Sequence, residues 1–159
     1  MIIRFLFIVL LLFVGWTDFR TRRIPDRLAL CLFVLGVFAA GAELGGVVSG
    51  GSGTGDSSFR EACAALLPGR IAGLFAASLP LFIINLIRPG AFGGGDIKLL
   101  AAGGLFLGAA GILRALGIGM ALAGLFCVIG LLSGRVEKKS RFALGPFLCA
   151  GMIVCCFLM

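Results

Sequence analysis

The sequence predicts an all-α polytopic membrane protein, a bundle of about six transmembrane helices forming one domain over residues 1–159. Hydrophobic residues make up 60% of the chain and charged residues only 13%, and the mean hydropathy is +1.18. Soluble domains rarely exceed about half apolar residues, and so few charges do not cover a water-facing surface. Only helices satisfy their own backbone hydrogen bonds as separate segments in lipid.

Six apolar segments follow one another: 2–17, 28–42, 69–87, 97–113, 115–133 and 142–159. Most are close to the ~17–25 residues that cross a hydrocarbon core, and the first two are shorter. The first segment lacks a small-x-small cleavage site, which favours a retained span over a cleaved signal peptide. The run 97–133 is too long for one span, and Gly111, Arg114 and Gly117 mark the predicted hairpin within it.

Residues 43–68 are predicted to be a Gly/Ser-rich external loop and the lead-in to a helix. The stretch GAELGGVVSGGSGTGDSS, residues 41–58, carries seven glycines and four serines, a composition typical of flexible loops. Elsewhere, glycines four residues apart predict close helix packing: Gly69 and Gly73, Gly104 and Gly108, Gly130 and Gly134.

The basic residues predict the orientation of the bundle. Four follow the first segment, two bound the loop after the third and four follow the fifth, so ten of the 14 Lys and Arg residues share one side. The positive-inside rule places that side in the cytoplasm and both termini outside, in the cell inner membrane. The net charge of +7 is thus a topology signal that also attracts anionic lipid, and no nucleic-acid partner is expected.

Histidine is absent, and the six cysteines form no C-x-x-C pair. A metal site is therefore not expected, and no cofactor is implied. The cysteines are interpreted as small apolar packing groups, with a disulfide as the open alternative. Proton chemistry has to use carboxylates, lysine or cysteine.

Two of the seven acidic residues lie at span boundaries: Asp18 follows the first segment and Asp96 precedes the fourth. Two spans separate them, so both lie at the same cytoplasmic boundary. Asp96 is expected to be the N-cap of its helix, and Asp18 has the alternative role of offsetting the neighbouring arginines. Gly93 and Gly95 have no side chains and allow a substrate backbone to approach the carboxylate.

Two aspartates brought together share a proton, because like charges a few ångström apart do not both ionise easily. One carboxylate then activates water as general base, and the other donates a proton to the scissile carbonyl oxygen or leaving amine. This chemistry needs no metal, cofactor, histidine or nucleophilic serine.

Three motifs resemble those of the prepilin peptidase family. They are TDFRTRRIPDRL at 17–28, GGGDIKLL at 93–100 and, in weakened form, ALGPFL at 143–148. The resemblance implies an aspartic intramembrane peptidase that removes the basic leader from pilin-like precursors at the cytoplasmic boundary. It makes Asp18 and Asp96 the catalytic pair. It also implies an active-site loop of Gly93, Gly94 and Gly95, and supporting roles for Ile24, Pro25, Lys98, Gly145 and Pro146.

The chain departs from the family pattern in three places. The zinc-binding insertion of the long bacterial enzymes is absent, so N-methyltransferase activity is not expected, and the chain looks most like the short peptidases of tight-adherence (Flp) pilus systems. Ala143 and Leu144 stand where the family usually has proline and often phenylalanine. Asp26 replaces a common asparagine.

The expected partners are a pilin or pseudopilin precursor and membrane lipid. Lys98 is expected to reach lipid headgroups rather than the aspartates, and Asn85 to make an interhelical hydrogen bond. Two other functions stay open: a small membrane transporter or ion pathway that binds cations at its acids, and a catalytically inactive pilus-assembly subunit with the same fold.

Overall fold

The computed structural model describes residues 2–21, 25–50, 56–90, 92–133 and 144–158, and within these ranges it contains helices and turns but no strand. The helices are α1 (Ile2–Thr21), α2 (Asp26–Gly50), α3 (Asp56–Ile87), α4 (Gly94–Leu132) and α5 (Gly145–Leu158). The all-helical prediction is confirmed. Three stretches are long and apolar enough to cross a membrane: Ile2–Thr21, Leu67–Ile87 and Gly94–Gly130. Six crossings and two outside termini stay predictions.

Helix α4 is broken at Gly108, which has φ 72° and ψ 176°. A Cβ on Gly103 would lie 3.3 Å from Cδ1 of Ile112, although nine residues of continuous helix extend about 13.5 Å. The chain therefore folds back, and we name the two parts α4a (94–107) and α4b (109–132). The hairpin predicted at Gly111 to Gly117 was placed too late, because the positive φ of the break favours glycine and Gly108 supplies it.

A buried arginine closes the broken end of α4a. Arg70 is only 9% exposed, and its Nη1 donates to the backbone carbonyls of Leu105 at 2.8 Å and Phe106 at 3.2 Å. Its other terminal nitrogen pairs with the carboxylate of Glu43. The last carbonyls of a helix lack intrahelical partners, so this guanidinium satisfies groups that the break leaves open.

Glycines allow the close helix contacts of the bundle. A Cβ on Gly73 would overlap the carbonyl of Gly104 and lie 2.8 Å from the backbone nitrogen of Ala109, so α3 meets the α4 break backbone to backbone. A Cβ on Gly151 would overlap the carbonyl of Ala115, so α5 approaches α4b equally closely. Small residues at helix crossings are typical of membrane bundles.

Helix α1 contacts α4 through side chains alone. No Cα atom of α1 comes within 8 Å of a Cα atom of α4, and the rings of Phe7 and Phe106 stack between them with centroids 3.9 Å apart. The largest fully buried side chains of the core are apolar, and they include Phe7, Leu11, Val14, Leu32, Leu99, Leu100, Ile112 and Met152.

The Gly/Ser-rich segment differs from the predicted loop. Helix α2 continues to Gly50 and α3 begins at Asp56, so the backbone at 43–50 and 56–68 is helical, and 51–55 lie outside the described residues. Once a helix is nucleated, each further residue adds a hydrogen bond, which opposes the cost of about 1 kcal/mol for glycine.

Five cysteines have described side chains, and all five are free thiols. Cys31 and Cys127 are exposed, whereas Cys149, Cys155 and Cys156 are buried. The buried three lie among the core side chains, and Cys155 donates weakly to the carbonyl of Gly111 at 3.3 Å.

Substitutions at Gly73 and Gly69 test the crossing of α3 with the α4 break. Gly73→Ala is expected to lower the free energy of unfolding by roughly 1–3 kcal/mol, because the new methyl group meets backbone atoms. Gly69→Ala is the matched control, since its Cβ would meet nothing within 4 Å. Thermal unfolding in detergent measures both, and equal stability of the two variants would contradict the close contact.

Candidate active site

Asp18 lies in the last turn of α1 and is only 5% exposed. Its carboxylate accepts a hydrogen bond from the backbone N–H of Gly145, the first residue of α5. A Cβ on Gly145 would overlap Oδ2 of Asp18 and lie 2.9 Å from its Cγ. The approach of α5 to Asp18 therefore depends on a glycine at this position.

Asp96 lies in the first turn of α4 and is 9% exposed. The carbonyl of Gly93 accepts from the amides of Asp96 at 3.1 Å and Ile97 at 3.4 Å, so Gly93 is the N-cap. The Asp96 carboxylate reaches back to the N–H of Gly93, as in a capping box. The expectation that Asp96 is itself the N-cap was wrong, because the helix begins earlier, at Gly94.

The two aspartates, which come from α1 and α4, lie close enough to interact electrostatically. The negative charge of Asp18 acts directly on the Asp96 carboxyl group, and both charges act on the buried thiol of Cys149 in α5. The structure thus brings together two carboxylates that are 78 positions apart in the sequence. Such a pair is able to share a proton.

The three glycines before Asp96 do not form one loop. Gly93 is the N-cap, and a Cβ there would lie 3.1 Å from Oδ2 of Asp96. Gly94 and Gly95 belong to the first turn of α4, and a Cβ on Gly94 would meet nothing within 4 Å. Of the three residues predicted to form an active-site loop, Gly94 and Gly95 are instead helical, and only Gly93 lies outside the helix.

The connection between α3 and α4 is fixed by Asn85. Its Oδ1 accepts from the backbone N–H groups of Gly90 at 3.2 Å and Phe92 at 3.5 Å. Gly90 has φ 85°, a left-handed conformation that favours glycine. An interhelical hydrogen bond was expected for Asn85, but its partners lie in the connection that leads to Gly93. Only the polar character of Asn85 in an apolar helix signalled a role.

Two further predicted site residues, Lys98 and Pro25, have partners other than the aspartates. Lys98 pairs with Asp26 at 2.7 Å, and both side chains are exposed, so its observed partner is an acid of α2. The carbonyl of Pro25 accepts from the backbone N–H of Leu28 at 3.0 Å, which makes Pro25 the N-cap of α2. Ile24 lies outside the described residues.

Pro146 is the second residue of α5, where a residue without an N–H is tolerated. The N-cap of α5 is Leu144, whose carbonyl accepts from Phe147 and Leu148, both at 3.1 Å. Ala143, the other departure from the family pattern, lies outside the described part of the chain. Among the described residues, no group of three or more His, Cys, Asp or Glu side chains is placed to hold a metal ion.

The helical bundle, three stretches of which are long and apolar enough to cross a membrane, holds two buried aspartates that interact electrostatically. The family model described as "Type IV leader peptidase family" matches residues 5–129, and the chain belongs to this family. It is also 30% identical over 148 residues to a "Prepilin leader peptidase/N-methyltransferase" of Bacillus subtilis (strain 168). That alignment covers 93% of this chain and 52% of the relative, so the chain spans about half the relative's length. No solved structure matches the chain significantly.

Hydrogen exchange tests the role of Asn85. Asn85→Ala removes the acceptor for the amides of Gly90 and Phe92, and a net hydrogen-bond contribution of about 1 kcal/mol corresponds to roughly fivefold faster exchange in this connection. Asn85→Asp keeps an acceptor oxygen and is expected to retain most of the protection. Unchanged exchange in Asn85→Ala would show that other contacts fix the connection.

Proposed function

We propose that this protein is an aspartic endopeptidase that removes the leader peptide from type IV pilin-like precursors. The observation that carries the proposal is the pair formed by Asp18 and Asp96. Both carboxylates are buried, they interact electrostatically, and they belong to a member of the leader peptidase family. Family membership supports peptidase chemistry, and the pair supplies groups able to perform it.

The proposed chemistry divides one proton between the two carboxylates. The ionised aspartate takes a proton from water, which attacks the scissile carbonyl carbon. The protonated aspartate donates its proton to the carbonyl oxygen, which gives a gem-diol. The aspartate that took the proton from water then passes it to the leaving amine as the C–N bond breaks, and the other aspartate takes back a proton from the gem-diol. The backbone N–H groups of Gly93 and Gly145 stabilise the negative charge that the pair carries.

The proposed substrate enters with its apolar segment in the bilayer and its leader junction at the aspartates. A helix keeps its peptide bonds inside its own hydrogen-bond pattern, so the cleaved junction has to be extended. Several basic residues lie near the Asp18 and Asp96 ends of their helices, at Arg20, Arg27, Arg88 and Lys98. The positive-inside rule therefore favours the cytoplasmic boundary of the inner membrane as the place of cleavage.

The proposal is limited to the peptidase reaction. The relative's name includes an N-methyltransferase, but the 159 residues contain no C-x-x-C pair of the kind that accompanies this activity in the long family members. We therefore propose only the peptidase reaction for these residues, whose motifs resemble those of the Flp pilus peptidases.

The transporter alternative requires polar groups along a route through the bundle. Arg70, which is buried, and Glu43, whose side chain is 52% exposed, do form an ion pair near the break of α4. Between this pair and Asp18, however, α1 presents only the fully buried apolar side chains of Phe7, Leu11 and Val14 to the core. This apolar face of α1 favours the peptidase over an ion pathway, since ions cross membranes along polar or hydrated surfaces.

Replacing either aspartate tests the proposed pair. Asp18→Asn and Asp96→Asn each remove one group that must gain or lose a proton, so leader removal is expected to fall by at least roughly 10²-fold. The measurement is processing of a co-expressed pilin precursor that has a basic leader, with membrane insertion of each variant verified.

Asp26→Asn is the matched control. It also neutralises an aspartate near the same end of the bundle, but Asp26 is exposed and pairs with Lys98, so cleavage is expected to continue. Retained cleavage in Asp18→Asn or Asp96→Asn would rule out the pair, and proton flux in liposomes that is lost in these variants would favour the transporter.

A further inference from the structure

The first backbone amide of α5 has one partner in the structure, and that partner is Asp18. The amides of Phe147 and Leu148 donate to the carbonyl of Leu144, and Pro146 has no N–H. The N–H of Gly145 is the remaining donor in this first turn, and it donates to the Asp18 carboxylate. The positive end of a helix and an N–H that donates to a carboxylate both favour the charged form of that carboxylate.

The side chain of Asp18 occupies the position that a Cβ on Gly145 would need. A Cβ at this position would overlap Oδ2 of Asp18, lie 2.9 Å from its Cγ and lie 3.4 Å from its Cβ. Asp18 is short and buried, so its carboxylate has no flexible stem with which to move aside. Any side chain at residue 145 therefore displaces either the carboxylate or the start of α5.

We propose that Gly145 is a positioning residue of the peptidase and that the first turn of α5 is the third component of the catalytic site. Its N–H holds the Asp18 carboxylate toward Asp96, and its lack of a side chain lets α5 approach closely enough to do so. Gly145 acts through Asp18 and does not contact the reacting peptide. This inference rests on the proposed peptidase function.

Gly145→Ala tests the inference in the full-length protein in detergent or liposomes with a pilin precursor. A shift of about 1 Å in a catalytic group costs on the order of 10²-fold in rate, so kcat is expected to fall by about that factor while KM stays within about twofold. The acidic limb of the pH–rate profile is expected to move to higher pH, because the ionised form of Asp18 loses its donor. Among the described residues, the titratable groups that face Asp18 are Asp96 from α4 and Cys149 from α5, and both are unchanged in this variant.

Two glycine variants serve as controls. Gly117→Ala adds a methyl group in open space and is expected to leave kcat and the pH profile unchanged. Gly151→Ala disturbs the packing of α5 on α4b without touching Asp18, so it is expected to lower stability and leave the pH profile in place. A pH shift in Gly151→Ala equal to that in Gly145→Ala would reduce Gly145 to a packing role and overturn the inference.

A double-mutant cycle tests the contact without relying on activity. Gly145→Ala is expected to lower the thermal unfolding temperature in the presence of Asp18 and to have little effect in the Asp18→Ala background, because the overlap is then absent. Additive effects on the unfolding temperature would overturn the contact. The cycle also decides the case if Gly145→Ala alone fails to fold, since Asp18→Ala should restore folding.

The inference and the proposed function fail in different ways. If Asp18→Asn is inactive but Gly145→Ala keeps the kcat and pH profile of the unmodified protein, the peptidase function is supported and the positioning role of Gly145 is contradicted. If Gly145→Ala raises KM without lowering kcat, Gly145 contacts substrate and the positioning role also falls. If Asp18→Asn still cleaves the precursor, the proposed function itself is wrong.

Discussion

The structure depends on holding two carboxylates close together in an apolar bundle. Burial and mutual repulsion both oppose this arrangement, and two helix N-termini offset them. Asp96 lies in the first turn of α4 and accepts from Gly93, while Asp18 lies against the first amide of α5. Each donor is a backbone group, which is fixed by its helix and carries no mobile charge.

The two residues whose backbone N–H groups donate to the aspartates, Gly145 and Gly93, are both glycine, but for different physical reasons. Gly145 is required by space, because its missing Cβ is where the Asp18 carboxylate lies. At Gly93, a Cβ would lie 3.1 Å from Oδ2 of Asp96, a tighter but smaller conflict. Three consecutive glycines before an aspartate therefore do not have equivalent roles, because a Cβ on Gly94 would meet nothing within 4 Å.

The sequence predicted the helical class from composition and the meeting of Asp18 with Asp96 from the number of intervening spans. It did not predict the break at Gly108, because many glycines in an apolar run are equally able to adopt a positive φ, and tertiary packing selects one. The pairing of Lys98 with Asp26 joins residues 72 positions apart, which local helix geometry does not reveal. The partners of Asn85 likewise depend on the path of a connection whose conformation the sequence does not specify.

Because of the break at Gly108, α4a has two ends, and a side chain of opposite charge lies at each end of its helix dipole. Its N-terminus, where the helix dipole is positive, carries Asp96, and its C-terminus, where the dipole is negative, receives Arg70 at the carbonyls of Leu105 and Phe106. An unbroken α4 would place the corresponding carbonyls inside the helix and leave Arg70 with Glu43 alone. The fold-back thus satisfies a buried cation at one end of α4a, and the same short helix presents Asp96 at the other, so the break and the proposed catalytic site are linked through one rigid element.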